Sequence, residues 1–552
     1  MRPTKAKVSI FRLRLGLFFF ILWWIPIYLT VPSLADLLNL QTTQSKHILF
    51  VCIIVAQTIF GFLGLILVGK ELSLTLKRVS YRRMPGVIWR MVIRGDTTIP
   101  ADSLKPKKTK KEKAKTGAIA GLGAAPTLSQ ALKSKQYLSI LALAVVIGIP
   151  ISAAAYYFLV LIGKVQNWVF VRAPNELGFH GTPTWWVILP LAFAAIFVSL
   201  TIKYLPGKGG HVPAEGFKAG GIVTPEQLFG VFFAALASIG LGAVIGPEAP
   251  LIALGSGLGY LSIKLIKKDV PQTGAAIVAA TGSFAAISTL VGSPLIGAFL
   301  LLEAAGLSGD TTTIVLMPGL LAAGIGSLIF TGLNSLTGLG AFSLAIPNLP
   351  RFSHPDVKEL LWAVVVGAIT AVLGVVIMKF GLKIFKLVSK RLVLATFIAG
   401  LLIAGLAIAY SYITGHSPND VLFSGQSSTP YFVSHAAEFS IGALLLLLLT
   451  KGVAYGLSLG SFRGGPIFPS IFLGCVLGIA MSHLPGLPLV PAIAMGMGGM
   501  IASVLRLPFS AALFAVILSA SDALAVTPLV IVAVVVSFVL ASVLSPKATT
   551  TG

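Results

Sequence analysis

Acidic residues are scarce in this chain. Aspartate and glutamate number 17 against 41 lysines and arginines, and charged residues of both signs make up 11% of 552 positions. So little charge excludes a soluble domain of this length, which would need a solvated surface. Cysteine is almost absent. Cys52 and Cys475 lie in apolar surroundings, which leaves neither a disulfide framework nor a metal cluster. No Gly-rich loop ends in Gly-Lys-Ser/Thr, no His-Glu-x-x-His occurs, and the seven histidines are scattered. Nucleotide hydrolysis has no residues to carry it, no cofactor is implied, and the chain is not expected to be an enzyme.

Apolar residues are what the sequence has in excess: 56% of positions, with a mean hydropathy of +0.95. Lipid is the solvent that such a chain requires. Apolar stretches run from Leu15 to Val31, Ile48 to Val68, Tyr137 to Ile162, Trp185 to Ile202, Trp362 to Met378, Leu392 to Ile413 and Pro528 to Leu544. Roughly a dozen or more reach the length a bilayer demands. Backbone groups cannot go unpaired in hydrocarbon, so segments this continuously apolar are helices, and the class is an all-α polytopic membrane bundle.

The net charge of +24 would suggest nucleic acid in a soluble protein, but about half of it falls between Lys70 and Lys135. The positive-inside rule places that segment in the cytoplasm. The basic start (Arg2, Lys5, Lys7, Arg12, Arg14) joins it there if two spans lie between them. The sequence therefore divides into a membrane hairpin at 1–70, a basic cytoplasmic linker at 71–136 and an apolar core at 137–546. The linker reads as solvated chain rather than as a nucleic-acid site, and membrane lipid is the expected surrounding.

The core carries a repeat. Gly246 to Gly255 (GPEAPLIALG) and Gly465 to Gly474 (GPIFPSIFLG) match without a gap at Gly246/Gly465, Pro247/Pro466, Pro250/Pro469, Ile252/Ile471, Leu254/Leu473 and Gly255/Gly474. Downstream, Gly282 lies twelve residues before Pro294 and Gly496 twelve before Pro508, each proline opening an apolar run. The two repeats span about 137–333 and 355–546. Duplicated halves with Gly/Pro-interrupted helices point to a transport site at the membrane midplane. A helix that starts inside the bilayer exposes unpaired N–H groups and the positive end of its dipole, so its natural ligand is an anion.

Proline is favoured at the first helical position, which reads Gly-Pro-x-x-Pro as a helix start in both halves. The free donors between the prolines then belong to Glu248 and Ala249 in one half and to Ile467 and Phe468 in the other. Glu248 breaks the symmetry, standing where the second half has Ile467. A charge near the bilayer centre costs about 2.5 to 3.5 kcal/mol and marks a pathway. Its carboxylate is a tethered anion beside a site built for anions, so it is expected to compete with the permeant ion as a gate.

These residues resemble the CLC chloride channels and chloride/proton antiporters, whose signature blocks read Gly-Ser-Gly-Ile-Pro, Gly-Arg-Glu-Gly-Pro and Gly-x-Phe-x-Pro. Here Gly209-Gly210-His211-Val212-Pro213 takes the first block's place, Gly246-Pro247-Glu248-Ala249-Pro250 the second's, and Gly465-Pro466-Ile467-Phe468-Pro469 the third's. The resemblance covers about residues 137–545. It implies a CLC-like inverted-repeat bundle with broken helices meeting near the midplane, acting as a homodimer with one path per subunit for chloride or a similar small anion. It also implies that Glu248 is the gating glutamate and that backbone donors at Gly209, Gly210 and His211 complete the anion site.

Departures accompany the matches. Gly210 stands where the family has a serine hydroxyl, and His211 beside it is either a substitute ligand or a local hydrogen-bonding residue. Pro466 replaces a backbone donor, shifting that contact to Ile467 and Phe468. The chain ends soon after Leu544, so the helix carrying the family's pore tyrosine and any nucleotide-sensing domain are expected to be missing. The family's antiporters carry a second glutamate at the position of Ala304. Its neighbour Glu303 is either a displaced proton acceptor or a helix-end acid before Gly306, which tilts the expectation from exchange to passive conduction. A multi-span scaffold binding acidic lipid through its linker is the reading from a different class.

Overall fold

The computed structural model describes residues 134–545 apart from 180, 219–220, 267–270, 307–309, 339–350, 353 and 520–521, with scattered positions before 134. The hairpin expected at 1–70 and nearly all of the linker at 71–136 lie outside the described residues. A two-residue antiparallel ladder between Thr4–Lys5 and Thr98–Ile99 is the only sheet among the described residues. Everything else regular is helix.

Fourteen α-helices of eleven or more residues build the described core, with two short ones at Ala173–Glu176 and Thr429–Ser434. The first seven are α1 Lys135–Asn167, α2 Ile188–Tyr204, α3 Pro225–Gly240, α4 Glu248–Ile266, α5 Gln272–Val291, α6 Pro294–Ala305 and α7 Asp310–Thr337. Seven more follow: α8 Val357–Lys390, α9 Leu392–Thr414, α10 Ile441–Ser461, α11 Ile467–Ser482, α12 Leu489–Leu505, α13 Pro508–Leu518 and α14 Ala523–Leu544. Nine described helical stretches are long and apolar enough to cross a bilayer, and the five shorter apolar helices are α3, α6, α11, α12 and α13. Local chemistry sets several boundaries. Thr224 and Gln227 form a capping box ahead of Pro225, as Asp356 and Glu359 do at α8. Gly292 turns left-handed to end α5 before Pro294 opens α6, and Arg506 does the same between α12 and Pro508.

The packings repeat. In the first half α4 lies along α5, α5 along α7 and α1, and α7 along α1; in the second, α11 lies along α12, α12 along α14 and α8, and α14 along α8. The repeated glycines explain the tightest crossings. A Cβ on Gly255 would stand 2.2 Å from the Gly282 carbonyl oxygen, and one on Gly474 would stand 2.3 Å from that of Gly496. Small residues let backbones approach where lipid supplies no hydrophobic drive between helices. Between the halves, α2 packs on α9 and α6 on α13, each helix meeting its own counterpart as a two-fold axis demands.

The outer surface suits lipid. Val364, Val372 and Val376 of α8 are exposed, as are Ile531, Val535, Val539 and Val543 of α14, forming apolar stripes at helical spacing. Inward hydroxyls are satisfied by backbone oxygens: Ser283 donates to Ile252 O at 3.0 Å and Ser537 to Gly499 O at 2.7 Å. The all-helical, inverted-repeat membrane architecture expected from the sequence is the one observed.

Candidate functional site

The two helix breaks cross each other. Gly246 N–H donates to Gly465 O at 2.8 Å and Gly465 N–H to Gly246 O at 2.6 Å, an antiparallel bridge between equivalent residues. The loops leading into the breaks are held reciprocally too: Val244 N–H donates to Ser458 Oγ at 3.0 Å, and Arg463 N–H to Ser238 Oγ at 3.1 Å. Each half thus satisfies backbone donors that the other half's broken helix leaves buried. Ser238 and Ser458 did not enter the sequence reading, although Ser-Ile-Gly at 238 and Ser-Leu-Gly at 458 precede the two Gly-Pro pairs.

Because the glycine bridge fixes the backbone through Gly246 and Gly465, helix begins one residue beyond each proline. α4 starts at Glu248 and α11 at Ile467, with Pro466 as its N-cap. Pro247 O accepts from Leu251 N–H at 3.0 Å, as the carbonyl of an N-cap residue does. The prolines are therefore caps rather than first helical residues.

Glu248 is fully buried at this crossing. Its Oε1 accepts from Phe468 N–H at 2.8 Å, and the Ile467 amide also bears on the carboxylate. Oε2 has no hydrogen-bond partner. The two glycines make room for it: a Cβ on Gly465 would fall 1.7 Å from Oε2 and one on Gly246 2.3 Å from it. A side chain from the first half therefore sits on an amide donor that the second half's helix start provides. Ala249, Pro250 and Pro469 occupy the first turns of the same two helices.

The Gly209–Pro213 block forms a turn beside this crossing. Lys208, Gly209 and Gly210 all have positive φ, and a Cβ on Gly210 would press on Val231 at 3.2 Å. The serine that the family places there would be strained in this backbone. Gly210 N–H donates to Gly207 O at 2.9 Å, so this expected anion donor is engaged within its own turn. His211 Nε2 meets Gly216 O at 2.6 Å, a local bond across the loop. Burial holds its ring below the usual histidine range, and Lys218 and Arg463 add to that against the Gly216 bond and Glu215.

Three further polar side chains surround the second helix start. Tyr455 of α10, fully buried, donates to Pro466 O at 2.7 Å, and Ser470 Oγ donates to the same carbonyl at 2.6 Å. These hydroxyls lie at the base of α11, where none was expected. Lys451, also fully buried, donates to Asp420 O, Val421 O and Leu422 O at 2.8, 3.2 and 2.8 Å, with its Nζ 4.4 Å from the Phe472 ring centroid. All three ammonium protons and the cation–π face are thereby used. Glu303 lies elsewhere: it accepts from Phe509 N–H at 3.0 Å, Ser510 N–H at 2.8 Å and Ser510 Oγ at 2.6 Å, capping α13 from outside. Among the described residues no group of His, Cys, Asp and Glu is placed to hold a metal.

Known proteins resemble this chain in sequence and in fold. "Putative ion-transport protein YfeO" of Escherichia coli (strain UMN026) is 27% identical over 373 residues, which cover 66% of this chain and 84% of that protein. A crystal structure of a slow cyanobacterial Cl-/H+ antiporter superposes with a TM-score of 0.62 at 19% identity, covering 74% of this chain and 95% of that one. A CLC-type fluoride/proton antiporter gives 0.57 at 18% identity, covering 73% and 95%. The profile of one family, described as voltage gated chloride channel, matches residues 195–542, a stretch that contains both helix breaks, the Gly209–Pro213 turn and Glu248. This chain is a member of the voltage gated chloride channel family.

Proposed function

We propose that the protein passes chloride or a similar small anion across a membrane, along a path that the Glu248 carboxylate closes. The observation that carries this reading is the bond from Phe468 N–H to Glu248 Oε1. A helix-start amide that accepts a carboxylate accepts a free anion by the same chemistry, so the side chain and the ion compete for one donor. The competitor is poorly held, because Oε2 is buried without a partner and such a group costs about 1 to 3 kcal/mol or more. Protonation removes the charge that occupies the donor, and an arriving anion displaces it; either opens the path. Ala249, Ile467 and Phe468 supply the backbone donors, with Gly209 and His211 at the adjoining turn.

Exchange of anions for protons is the second reading, favoured by the two similar structures that are described as proton-coupled antiporters. It asks Glu303 to carry protons. That carboxylate is occupied by three donors at the α13 N-terminus, which favours conduction over exchange. The basic start and the basic linker are assigned to the cytoplasmic side of the cell membrane, and pairing of Thr4–Lys5 with Thr98–Ile99 supports their lying on one side. A homodimer with a separate path in each subunit is the working assembly.

Anion efflux from vesicles reconstituted with the purified protein tests the proposal. Chloride, fluoride and nitrate are loaded in turn, and protons are followed beside the anion. Efflux above that of empty vesicles without proton countermovement is expected. Absence of efflux for every anion contradicts anion passage, and uphill proton uptake driven by a chloride gradient replaces conduction with exchange.

A further inference from the structure

A second charge bears on the site besides Glu248. Arg463 stands two residues ahead of Gly465, in the turn leading into α11, and is 5% exposed. Its guanidinium donates from Nη1 to Phe462 O at 3.0 Å and from Nε to Lys208 O at 3.4 Å. Both partners are neutral carbonyls, and Nη2 has no hydrogen bond to a described residue. No carboxylate among the described residues pairs with it. Glu215 is the acid within electrostatic reach, and it is engaged by Lys218 at 3.2 Å. The buried charge is therefore held by two neutral carbonyls rather than by a facing carboxylate, the usual partner of a buried cation.

Gly209 packs against the aliphatic stem of the Arg463 side chain. A Cβ on Gly209 would meet Arg463 Cγ at 3.0 Å. Gly209 also lines a cavity of about 240 Å³ together with Gly210, His211, Lys218, Ala249 and Gly464. Ala249 directly follows Glu248 and Gly464 directly follows Arg463, so the cavity reaches both helix starts. It is several times the volume of a water molecule, about 30 Å³, which is room enough for a small anion with part of its hydration. Lys218 at its rim is 61% exposed and already paired, so solvent screens it. A buried guanidinium is screened far less, and its field extends into the cavity.

We propose that Arg463 is a further anion-attracting residue of the path: the fixed cation whose counter-ion is a small monovalent anion held in the cavity beside Gly209. This rests on the anion-passage reading and names what attracts the ion to the closed gate. Arg463 attracts the ion to the cavity, and Glu248 competes with it at the start of α11.

The test is chloride binding by calorimetry to purified protein, with the half-saturation of chloride efflux measured in parallel, for the native chain, Arg463→Gln, Arg463→Met and Arg463→Lys. Replacement of a buried charge by an apolar side chain of similar size is often tolerated, so Arg463→Met serves if Arg463→Gln does not fold. Loss of the charge is expected to raise the dissociation constant and the half-saturation about tenfold, with maximal efflux changed less than about twofold. Arg463→Lys is expected to stay within about threefold of native. Native affinity in a charge-free variant overturns the proposal, as does Arg463→Lys binding as weakly as Arg463→Met, which would assign the residue to local structure. A native chain that neither binds nor passes any anion overturns the anion-passage reading itself, and this inference with it.

Discussion

Gly255 crosses Gly282 in the first half as Gly474 crosses Gly496 in the second, and Ser458 serves the first helix break as Ser238 serves the second. The chemistry is not shared in this way. The first half contributes Glu248; the second contributes the Phe468 amide that receives it, the Tyr455 and Ser470 hydroxyls beneath, and the buried cations Lys451 and Arg463. At the spacing that aligns Gly246 with Gly465, Phe232, Leu236 and Val244 stand where Lys451, Tyr455 and Arg463 do. The two halves share a frame of small residues whose close crossings leave no room for a side chain, while the residues around that frame differ between them. The result is one half that carries the buried carboxylate and one that carries its amide donor and the buried cations.

That division can be sharpened by paired substitutions. The frame should respond alike in both halves: Gly255→Val and Gly474→Val each push a side chain into an opposing carbonyl, and each should cost about 3 kcal/mol or more, read as thermal unfolding in detergent. A large cost in one half alone would break the symmetry of the frame. The surroundings should respond unlike. Lys451→Met leaves three loop carbonyls without their donor and is expected to cost about 2 to 3 kcal/mol, whereas Phe232→Met conserves volume and should cost under about 1.5 kcal/mol. Equal costs would mean that the second half's cation does no more than fill space. The smallest effect is at the contact between halves: Glu303→Ala removes the outside cap of α13 and should cost about 1 to 2 kcal/mol with anion efflux preserved. Loss of a measured proton movement in that variant would instead make Glu303 part of an exchange route.

Much of the frame was legible in the chain. The paired glycines and prolines are an ungapped pattern, and a pattern at matched spacing survives translation into packing. Glu248 was legible because an acid within an apolar run is chemically conspicuous. The reciprocal serines were not, since a serine in a membrane helix usually bonds its own preceding turn, and nothing local says that Ser238 serves a backbone N–H of the other half. Lys451 and Arg463 were hidden for a related reason. Their burial depends on carbonyls donated by loops around Asp420 and Lys208, far away in sequence. Gly210 is the reverse case: the motif leaves its N–H free, but the left-handed turn that glycine permits directs it to Gly207 O.

The central claim is that Glu248 competes as a charged side chain for the donor that the anion uses. It is tested most directly by anion efflux across a pH series for the native protein and Glu248→Gln. Competition predicts native efflux that rises as pH falls, because protonation vacates the donor, and efflux in Glu248→Gln that is about tenfold faster than native at alkaline pH and flat with pH. An unchanged pH profile in Glu248→Gln, at the native rate, would contradict it.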